Sequence, residues 1–422
     1  LASSNTTYPD NFSNTSDWIE LFNAGESMLN LGGFRLSDQP DFESAWTFGD
    51  VSLESGGHLL VFASGRDIQD VLTYNTIVSE GDAWRYFIPE QNLTSEWRMP
   101  GFDDASWANG NSGFGYGDGD DNTIVPSGTR SVFIRKSFTL EDTAGIAAIL
   151  LHMDYDDAFV AYLNGVEVGR ANIGAAGQNT PFNAEPQIDH EAVMYEGGHP
   201  DRFDASFVIP YLELGENVLA IQIHNISTTS SDLTGIPFLT LGLTTGSSGT
   251  VPPVLQIPAD RMHADFKLAM EGETVYLFSA DGAVLDTVAF PWMPAGISYG
   301  RLEDGSPDWV LFQQPTPDSV NTGPHYYGIN QDTIVFSHPS GLYDLPFMLE
   351  LSGGEDIRYT LDCSEPNESS ALYTGPIAID ENSIVKAAIF VPGLLGQVMI
   401  RSYIIGASHL LPVISLNTKP EN

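Results

Sequence analysis

Two groups of closely spaced aspartates are the residues whose types and spacing best suit chemistry. Each group places three carboxylates within four positions of the chain: Asp118, Asp120 and Asp121, then Asp154, Asp156 and Asp157. Calcium takes about six to eight oxygen ligands, so neighbouring carboxylates on loops match its needs. The first group begins like an EF-hand loop, but Thr123 and Thr129 stand where that loop has Gly and Glu. The six aspartates are therefore candidate calcium ligands, and solvated carboxylates of turns and strand starts are the alternative.

Two tryptophans, Trp97 and Trp107, are candidates for a second kind of chemistry. Indole rings can stack on sugar rings, but aromatic side chains in small sandwiches also fill the core. The sequence favours the core and keeps both residues as candidate carbohydrate contacts. Five histidines have no spacing typical of metal ligands, and we expect them to be structural or at the surface; they are His152, His190, His199, His224 and His263.

Catalytic signatures are missing from the sequence. It has no Walker phosphate loop, no Gly-x-Ser-x-Gly elbow and no His-Glu-x-x-His motif. The glycines of the run 113–119 alternate and no helical pattern follows, which indicates a turn-rich loop rather than a dinucleotide site. Paired carboxylates cannot identify a glycosidase here, because their separation across the fold decides that activity. We therefore expect that the chain is not an enzyme.

The net charge of the chain limits the classes of binding partner. The chain has 422 residues, and 56 acidic against 16 basic residues give a formal net charge of −40. Such a charge opposes binding to nucleic acid or to anionic membranes, and no apolar stretch reaches the roughly 18 residues of a membrane span. Screening by salt or divalent cations would relieve the self-repulsion, which suggests a secreted or cell-surface setting; simple solubility is the alternative. Cys363 is the single cysteine, so the chain cannot form an internal disulfide.

Short apolar runs between Gly, Asn, Asp and Pro clusters predict that β-strands position these residues throughout the chain. The clearest element is a hairpin with Asn164-Gly165 as a two-residue turn, because both turn residues need positive φ. Phe159–Leu163 and 166–169 should be its strands. Further strands are predicted at Ser131–Phe138, 147–151, Phe207–Pro210, Asn217–His224 and other alternating segments.

Two separated pieces of the chain resemble one family. The motifs Trp18-Ile-Glu-Leu-Phe-Asn23 and Gly33-Phe-Arg-Leu-Ser-Asp38 are similar to the first half of a bacterial lamin-tail domain. The motifs Glu271-Gly-Glu-Thr-Val-Tyr-Leu-Phe278 and Asp308-Trp-Val-Leu311 resemble its closing strands. The resemblance implies an immunoglobulin-like sandwich made of residues 1–80 plus 259–321, with an opening strand expected before Leu1.

The residues between those pieces resemble another family. The motif Asp154-Tyr-Asp-Asp-Ala-Phe-Val-Ala-Tyr-Leu-Asn-Gly165 and the motif Gly215-Glu-Asn-Val-Leu-Ala-Ile-Gln-Ile-His-Asn225 are similar to galactose-binding-like jelly rolls of bacterial surface proteins and glycoside hydrolases. Members of this family bind sugars or brace their neighbours. We therefore expect an inserted jelly roll over 81–258, with a return linker, since insertions are tolerated at exposed loops.

The last whole unit is expected over residues 322–405. Its segments Ile357-Arg-Tyr-Thr-Leu-Asp362 and Val385-Lys-Ala-Ala-Ile-Phe390 resemble the fibronectin-III-like module of chitobiase-type enzymes. That pattern has Gly where Cys363 stands, which puts the turn geometry there in doubt. Residues 406–422 resemble the start of a spore-coat-type (CotH-like) kinase domain.

These observations predict three β-sandwiches in a non-catalytic region of a secreted or cell-surface bacterial protein. Its expected role is adhesion or carbohydrate binding, with a polysaccharide or glycan as partner and Ca²⁺ as a candidate ligand. One alternative is a building block that self-associates into a surface layer or filament by sandwich packing or strand addition. Another is an accessory arm of a secreted hydrolase or kinase-like protein.

Overall fold

The computed structural model describes residues 8–12, 14–70, 72–244, 249–257 and 261–406. Strands make up nearly all of the regular structure, and three short 3₁₀ helices accompany them: Ser95–Arg98, Met194–Glu196 and Ser206–Tyr211. The predicted all-β class is confirmed. Among the described residues, no helix has the length and apolar character that crossing a membrane requires.

Six short strands open the chain: β1 (Asp17–Phe22), β2 (Leu29–Asn30), β3 (Arg35–Ser37), β4 (Trp46–Thr47), β5 (Ser52–Leu53) and β6 (His58–Ala63). β1 pairs antiparallel with β6. Side chains alternate between the two faces of β6, as the period of a strand requires. Leu60 and Phe62 pack with Trp18 on one face, while Val61 and Ala63 belong to the core on the other face.

Twelve strands form what we call the inserted unit: β7 (Thr73–Val78), β8 (Ala83–Phe87), β9 (Ala108–Asn111), β10 (Phe114–Gly115), β11 (Thr123–Ile124), β12 (Ser131–Leu140), β13 (Ile146–Asp156), β14 (Ala158–Leu163), β15 (Val166–Ala171), β16 (Asp201–Asp204), β17 (Gly215–His224) and β18 (Thr234–Leu243). They make a six-stranded sheet in the order β15-β14-β17-β12-β8-β9, a four-stranded sheet in the order β16-β13-β18-β7 and a two-stranded pair of β10 and β11. The large apolar core lies between the two larger sheets and includes Leu151, Phe159 and Ile221.

The hairpin predicted from Asn164-Gly165 is confirmed. β14 pairs antiparallel with β15, and the two turn residues have φ of 47° and 85°. A two-residue turn with positive φ at both positions matches the twist of the strands on either side, which explains why Asn-Gly is found there. The pairing shifts by one residue between Ala161 and Tyr162, where a bulge bends the hairpin.

The strands that follow the inserted unit return to the first six: β19 (Met262–Ala264), β20 (Glu273–Phe278), β21 (Val284–Phe290), β22 (Ser298–Arg301), β23 (Trp309–Phe312) and β24 (His325–Tyr326). β19 adds to β6 in parallel, and β20 pairs with β3. Strands β19–β21 therefore share sheets and a core with strands that precede the insertion, and β22–β24 form a sheet of their own. We call β1–β6 and β19–β24 together the split unit.

The C-terminal unit has eleven strands: β25 (Gly328–Ile329), β26 (Val335–Phe336), β27 (Gly341–Tyr343), β28 (Phe347–Leu349), β29 (Leu351–Ser352), β30 (Ile357–Thr360), β31 (Ala371–Leu372), β32 (Ile377–Ile379), β33 (Ser383–Ile389), β34 (Leu394–Leu395) and β35 (Met399–Ile405). Its largest sheet has the order β27-β35-β33-β30-β31. Cys363 has a φ of 66°, a left-handed conformation that favours Gly. The Gly expected there from the family pattern therefore fits the turn better than the Cys that is present.

The structure differs from the sequence-based expectations at several places. Residues 207–210, predicted as a strand, lie in a 3₁₀ helix, because Pro210 has no N–H for a sheet and the Asp204 carboxylate accepts the Ser206 amide at 3.0 Å. β7 belongs to a sheet of the inserted unit although it precedes the predicted boundary at 81, and β24 pairs with β23 beyond the boundary at 321. The expected opening strand at Leu1 and the segment resembling a kinase start (407–422) lie outside the described residues.

Candidate metal site

Carboxylates from four parts of the inserted unit meet at one end of its four-stranded sheet. These carboxylates form two groups, and within each group the ligand oxygens lie within 4.8 Å of one another. The first is Asp118, Asp120 and Asp121, and the second is Asp156, Glu191 and Asp232. The two groups are neighbours, because Asp232 packs against Gly117 and the hydroxyl of Thr234 is 3.4 Å from Asp118 Oδ1. We call these six residues the acidic site.

The loop between β10 and β11 presents the first group. These two strands pair in parallel, and Tyr116 exchanges backbone hydrogen bonds with Leu233 at 2.8 and 2.9 Å. A Cβ at Gly115 would lie 1.7 Å from the Leu233 carbonyl oxygen, and Gly117 has a φ of 122°. Glycine is therefore required at both positions for the loop to approach the start of β18 so closely.

The end of β13 presents the second group. Asp156 pairs with Thr234 in the β13–β18 ladder. Asp232 comes two residues before Thr234 and therefore lies close to Asp156. Asp156 is 2% exposed, whereas Glu191 is open to solvent. The site therefore has a buried floor of carboxylates and an exposed rim through which an ion could enter.

Asp154 and Asp157, also predicted as calcium ligands, accept hydrogen bonds from backbone amides. The carboxylate of Asp154 accepts the amides of Val193 and Met194, both at 2.9 Å. Asp157 accepts the amides of His190 at 3.0 Å and Ile226 at 2.7 Å. These hydrogen bonds fix the loops around the site, and Glu191 and Asp232 are the residues grouped with Asp156 at the end of the sheet.

Four oxygens of the site are buried without a partner. Neither carboxylate oxygen of Asp120 or Asp121 has a hydrogen-bond donor in proper geometry among the described residues. No member of the acidic site forms a salt bridge with Lys, Arg or His within that part of the chain. Unpaired buried carboxylates are costly, so they must hold either protons or a cation.

The pKa values of the site reflect the same cost of burying carboxylates without a counter-charge. Burial, followed by the charges of Asp120 and Asp118, raises the pKa of Asp121 to about 8. Burial, followed by the charges of Asp157 and Asp232, raises the pKa of Asp156 to about 9. Burial also raises the pKa of Asp118 and that of Asp120. A divalent cation would remove this penalty by compensating the negative charge.

The donor set fits calcium better than the transition metals. All six side chains offer hard carboxylate oxygens, and the site contains no His or Cys ligand. Asp118, Asp120 and Asp121 would bind an ion at the loop, and Asp156, Glu191 and Asp232 would bind one at the sheet end. The bound ion would supply positive charge that holds the loop 116–122 against β13 and β18.

Four of the six residues of the acidic site were candidate calcium ligands from the sequence, and two were not. Glu191 and Asp232 lie far from the aspartate groups in the sequence, and neither is part of a run with ligand spacing. Only the pairing of β13 with β18 and the path of the loop after β15 bring them to the site. Knowledge of strand order would have been needed to predict them.

The tryptophans proposed as sugar platforms lie in a core. Trp97 is 1% exposed and Trp107 is 6% exposed, and both rings pack on the outer face of the six-stranded sheet with Phe133 and Tyr162. Loops 89–107 and 172–184 cover this second apolar layer. The expectation of an exposed stacking surface is therefore wrong for both residues, and the core alternative is correct.

Comparisons with known proteins identify one segment. Residues 347–403 match the family described as Fn3 associated, which lies within the fibronectin-III-like unit expected from sequence. No curated protein matches the chain. The lamin-tail, jelly-roll and kinase-start resemblances remain predictions.

Several solved structures share parts of the β architecture. A Bacteroides uniformis β-glucuronidase 2, covalently bound to cyclophellitol-6-carboxylate aziridine, is 13% identical, with 78% of this chain and 32% of that chain covered and a TM-score of 0.27. A β-glucuronidase of an uncultured Clostridium sp. is 10% identical, with 72% and 48% covered and a TM-score of 0.27. A Bifidobacterium dentium β-glucuronidase complexed with coumarin-3-O-glucuronide is 13% identical, with 80% and 48% covered and a TM-score of 0.26. The chain thus spans about a third to a half of the length of these enzymes.

Proposed function

We propose that this chain is a non-catalytic, extracellular region of a bacterial protein that binds carbohydrate and requires calcium for its inserted unit. The observation that carries the proposal is the acidic site with its four unpartnered carboxylate oxygens. Extracellular modules bind calcium with dissociation constants of about 10⁻⁴–10⁻³ M, which suits a site that is open at Glu191.

Charge supports a glycan as the partner. A net charge of −40 opposes polyanions such as nucleic acid, whereas sugar recognition depends mainly on hydroxyl groups and apolar ring faces. β-Sandwiches in series can present such a binding surface at a distance from a cell or an enzyme. An accessory arm of a larger secreted protein is the same function in another setting.

A glycan array with the whole chain tests this function. We expect binding in millimolar calcium and a marked loss of binding in excess chelator, since the loops of the inserted unit depend on the ion. A blank array with protein that is folded by circular dichroism contradicts carbohydrate binding. Equal binding in calcium and chelator contradicts the role of the ion.

A second candidate function is assembly by strand addition, and one groove of the split unit favours it. β1, β21 and β22 are edge strands of three different sheets. They border a groove of about 500 Å³ that is lined by half-buried apolar side chains, among them Leu21, Val288 and Phe290. Open strand edges beside apolar side chains can accept a strand from another chain.

Sedimentation of the whole chain tests assembly. If strands add at this groove, self-association should rise with salt, which screens the repulsion between chains of charge −40. Leu21→Lys should then abolish association without loss of the fold. A monomer at every salt and calcium concentration leaves carbohydrate binding as the better account.

A further inference from the structure

A cleft on the outer face of the six-stranded sheet shares no lining residue with the acidic site and differs from it in chemistry. It has a volume of about 310 Å³ and lies between the loop around Asn92–Arg98 and the loop around 179–182. Its volume is at the lower end of the about 300–1,000 Å³ of small-molecule sites, so it suits a single ring rather than a long chain.

Hydrogen bonds between the two loops hold the cleft open in a defined shape. The side-chain oxygen of Asn92 accepts the Phe182 amide at 2.9 Å. Arg98 Nη1 donates to Asn179 Oδ1 at 3.2 Å. The walls are therefore tied together at two points, which indicates a preformed site rather than a gap between mobile loops.

The floor of the cleft carries an unsatisfied polar group. Gln222 is 1% exposed and lines the cleft, and its Oε1 has no donor among the described residues. Its Nε2 donates to the Thr180 carbonyl oxygen at 3.4 Å, so reversing the amide would place two acceptors together and leave the Nε2 unpartnered instead. A buried amide oxygen of this kind is satisfied by a hydroxyl or N–H group from a bound molecule.

The cleft also has an unpaired cation. The guanidinium of Arg98 lies over the Tyr162 ring, 4.0 Å from its centroid. Its Nε is buried without an acceptor, and neither Nε nor Nη2 has a hydrogen-bond partner in the described part of the chain. The carboxylate of the nearby Glu167 is hydrogen-bonded through both oxygens by Arg170, at 2.9 and 2.8 Å, and among the described residues its ion pair is with Arg170.

The residues that line the cleft include no Asp or Glu, although the chain has 56 acidic residues. Among the described residues that line the cleft, Arg98 is therefore the only charged one. The Nε and Nη2 edge of an arginine is the geometry that binds a carboxylate through two parallel hydrogen bonds. Trp97, Phe133 and Phe182 add apolar surface for the C–H face of a ring.

We propose that this cleft binds one carboxylated pyranose residue, a uronic acid unit of a polysaccharide. Its carboxylate accepts hydrogen bonds from Arg98, and one of its hydroxyl groups donates a hydrogen bond to Gln222 Oε1. This inference rests on the proposed carbohydrate-binding function and names its site and sugar class. The net charge of −40 opposes an acidic polysaccharide as it opposes nucleic acid. Screening at physiological salt limits this repulsion to charges within about 8 Å, and the lining of the cleft offers Arg98 and no carboxylate.

Titration calorimetry of the whole chain with glucuronate and galacturonate oligosaccharides, and with neutral oligosaccharides of equal length, tests the inference. We expect binding of at least one acidic oligosaccharide and its weakening by about 10- to 100-fold in Arg98→Met, which keeps the apolar stem and loses the hydrogen-bonding fork. Arg98→Lys should bind with intermediate affinity, because it keeps the charge without the fork. Arg358→Met changes the net charge equally in the C-terminal unit and should bind like the wild type.

The outcomes separate this inference from the proposed function. Glycan binding that survives in Arg98→Met leaves the function intact and overturns the site. Binding of neutral oligosaccharides alone overturns the sugar class. The absence of binding to any glycan by folded protein contradicts the function itself, and a thermal melt of each variant shows whether it is folded.

Discussion

The inserted unit and the split unit differ in how completely their sheets bury apolar side chains. In the inserted unit, two sheets of six and four strands enclose core residues that are wholly buried, such as Leu151 and Phe159. In the split unit, short strands leave apolar residues such as Leu21 and Phe290 half-buried beside a groove. Close packing allows the inserted unit to bury carboxylates, which then need a counter-charge, whereas the split unit retains open edges that need a partner strand.

Removal of a large side chain from each core should show the difference most clearly. We expect Phe159→Ala to destabilise the inserted unit by about 3–5 kcal/mol, because a wholly buried ring leaves a cavity. The matched change Phe290→Ala should cost the split unit only about 1 kcal/mol, because its ring is already part-exposed. Urea unfolding of both variants measures this, and equal losses would contradict the contrast in closure.

Calcium should act on one unit alone. At a hundredfold excess over its dissociation constant, calcium should stabilise the inserted unit by about 2.7 kcal/mol. Differential scanning calorimetry in chelator and then in calcium should show one transition that moves, and Asp121→Asn should remove most of that movement. Glu141→Gln, an exposed acidic residue of the same unit, is the control and should respond like the wild type.

Acid should affect both units through buried imidazoles. Burial, and then the charge of Arg66, lowers the pKa of His263 in the split unit to about 3, and burial lowers that of His224 in the inserted unit to about 3. A histidine with a lowered folded-state pKa stabilises the fold above its unfolded pKa of about 6.5, and this stability is lost as the pH falls toward 3. Between pH 7 and pH 5, His263 should therefore cost the split unit about 2 kcal/mol.

The variant His263→Gln isolates that effect. Gln can still hydrogen-bond to Asn11 or Ser64, which contact the imidazole at 2.5 and 2.8 Å, but it does not titrate. Its unfolding free energy should be lower than that of the wild type at pH 7 and should fall less by pH 5. An identical pH dependence in variant and wild type would show that another group controls acid unfolding of this unit.

The smallest expected effect lies in the C-terminal unit, which contains neither the acidic site nor the two buried histidines. Cys363→Gly should stabilise this unit by about 0.5–1 kcal/mol, because a side chain at positive φ is strained and glycine is not. Thermal melting under reducing conditions measures the gain, and Cys363→Ser serves as the control that keeps the strain. A stability gain equal in the two variants would assign the effect to the thiol instead of the backbone.

Local patterns in the sequence predicted the local structure well. The Asn164-Gly165 turn and the strands at Ser131–Phe138 and Asn217–His224 follow from residue types that act within a few positions. The 3₁₀ helix at Ser206–Tyr211 was missed, because a short apolar pattern also fits a single helical turn, here started where Asp204 accepts the Ser206 amide and hydroxyl.

The composition of the candidate sites could not be predicted in the same way. Asp120 and Asp121 were candidates because they are adjacent in sequence, whereas Asp232 lies beside Gly117 of their loop only because the segment before β18 approaches that loop. The roles of Asp154 and Asp157 depend on which backbone amides face them, and Gln222 gives no sequence signal at all. Long-range pairing, rather than residue type, decides these features.

The parallel pairing of β6 with β19 sets an order for folding. Val61 faces Met262 in that ladder, so about 200 residues must leave the ribosome before the pair can form. At a synthesis rate of roughly 5–20 residues per second, strands β1–β6 wait about 10–40 s without their partner, and the loop-closure entropy of so long a chain slows the pairing further. A compact inserted unit that folds first brings its own ends together and shortens that loop. The folding time of the inserted unit therefore limits how soon the split unit can complete its fold.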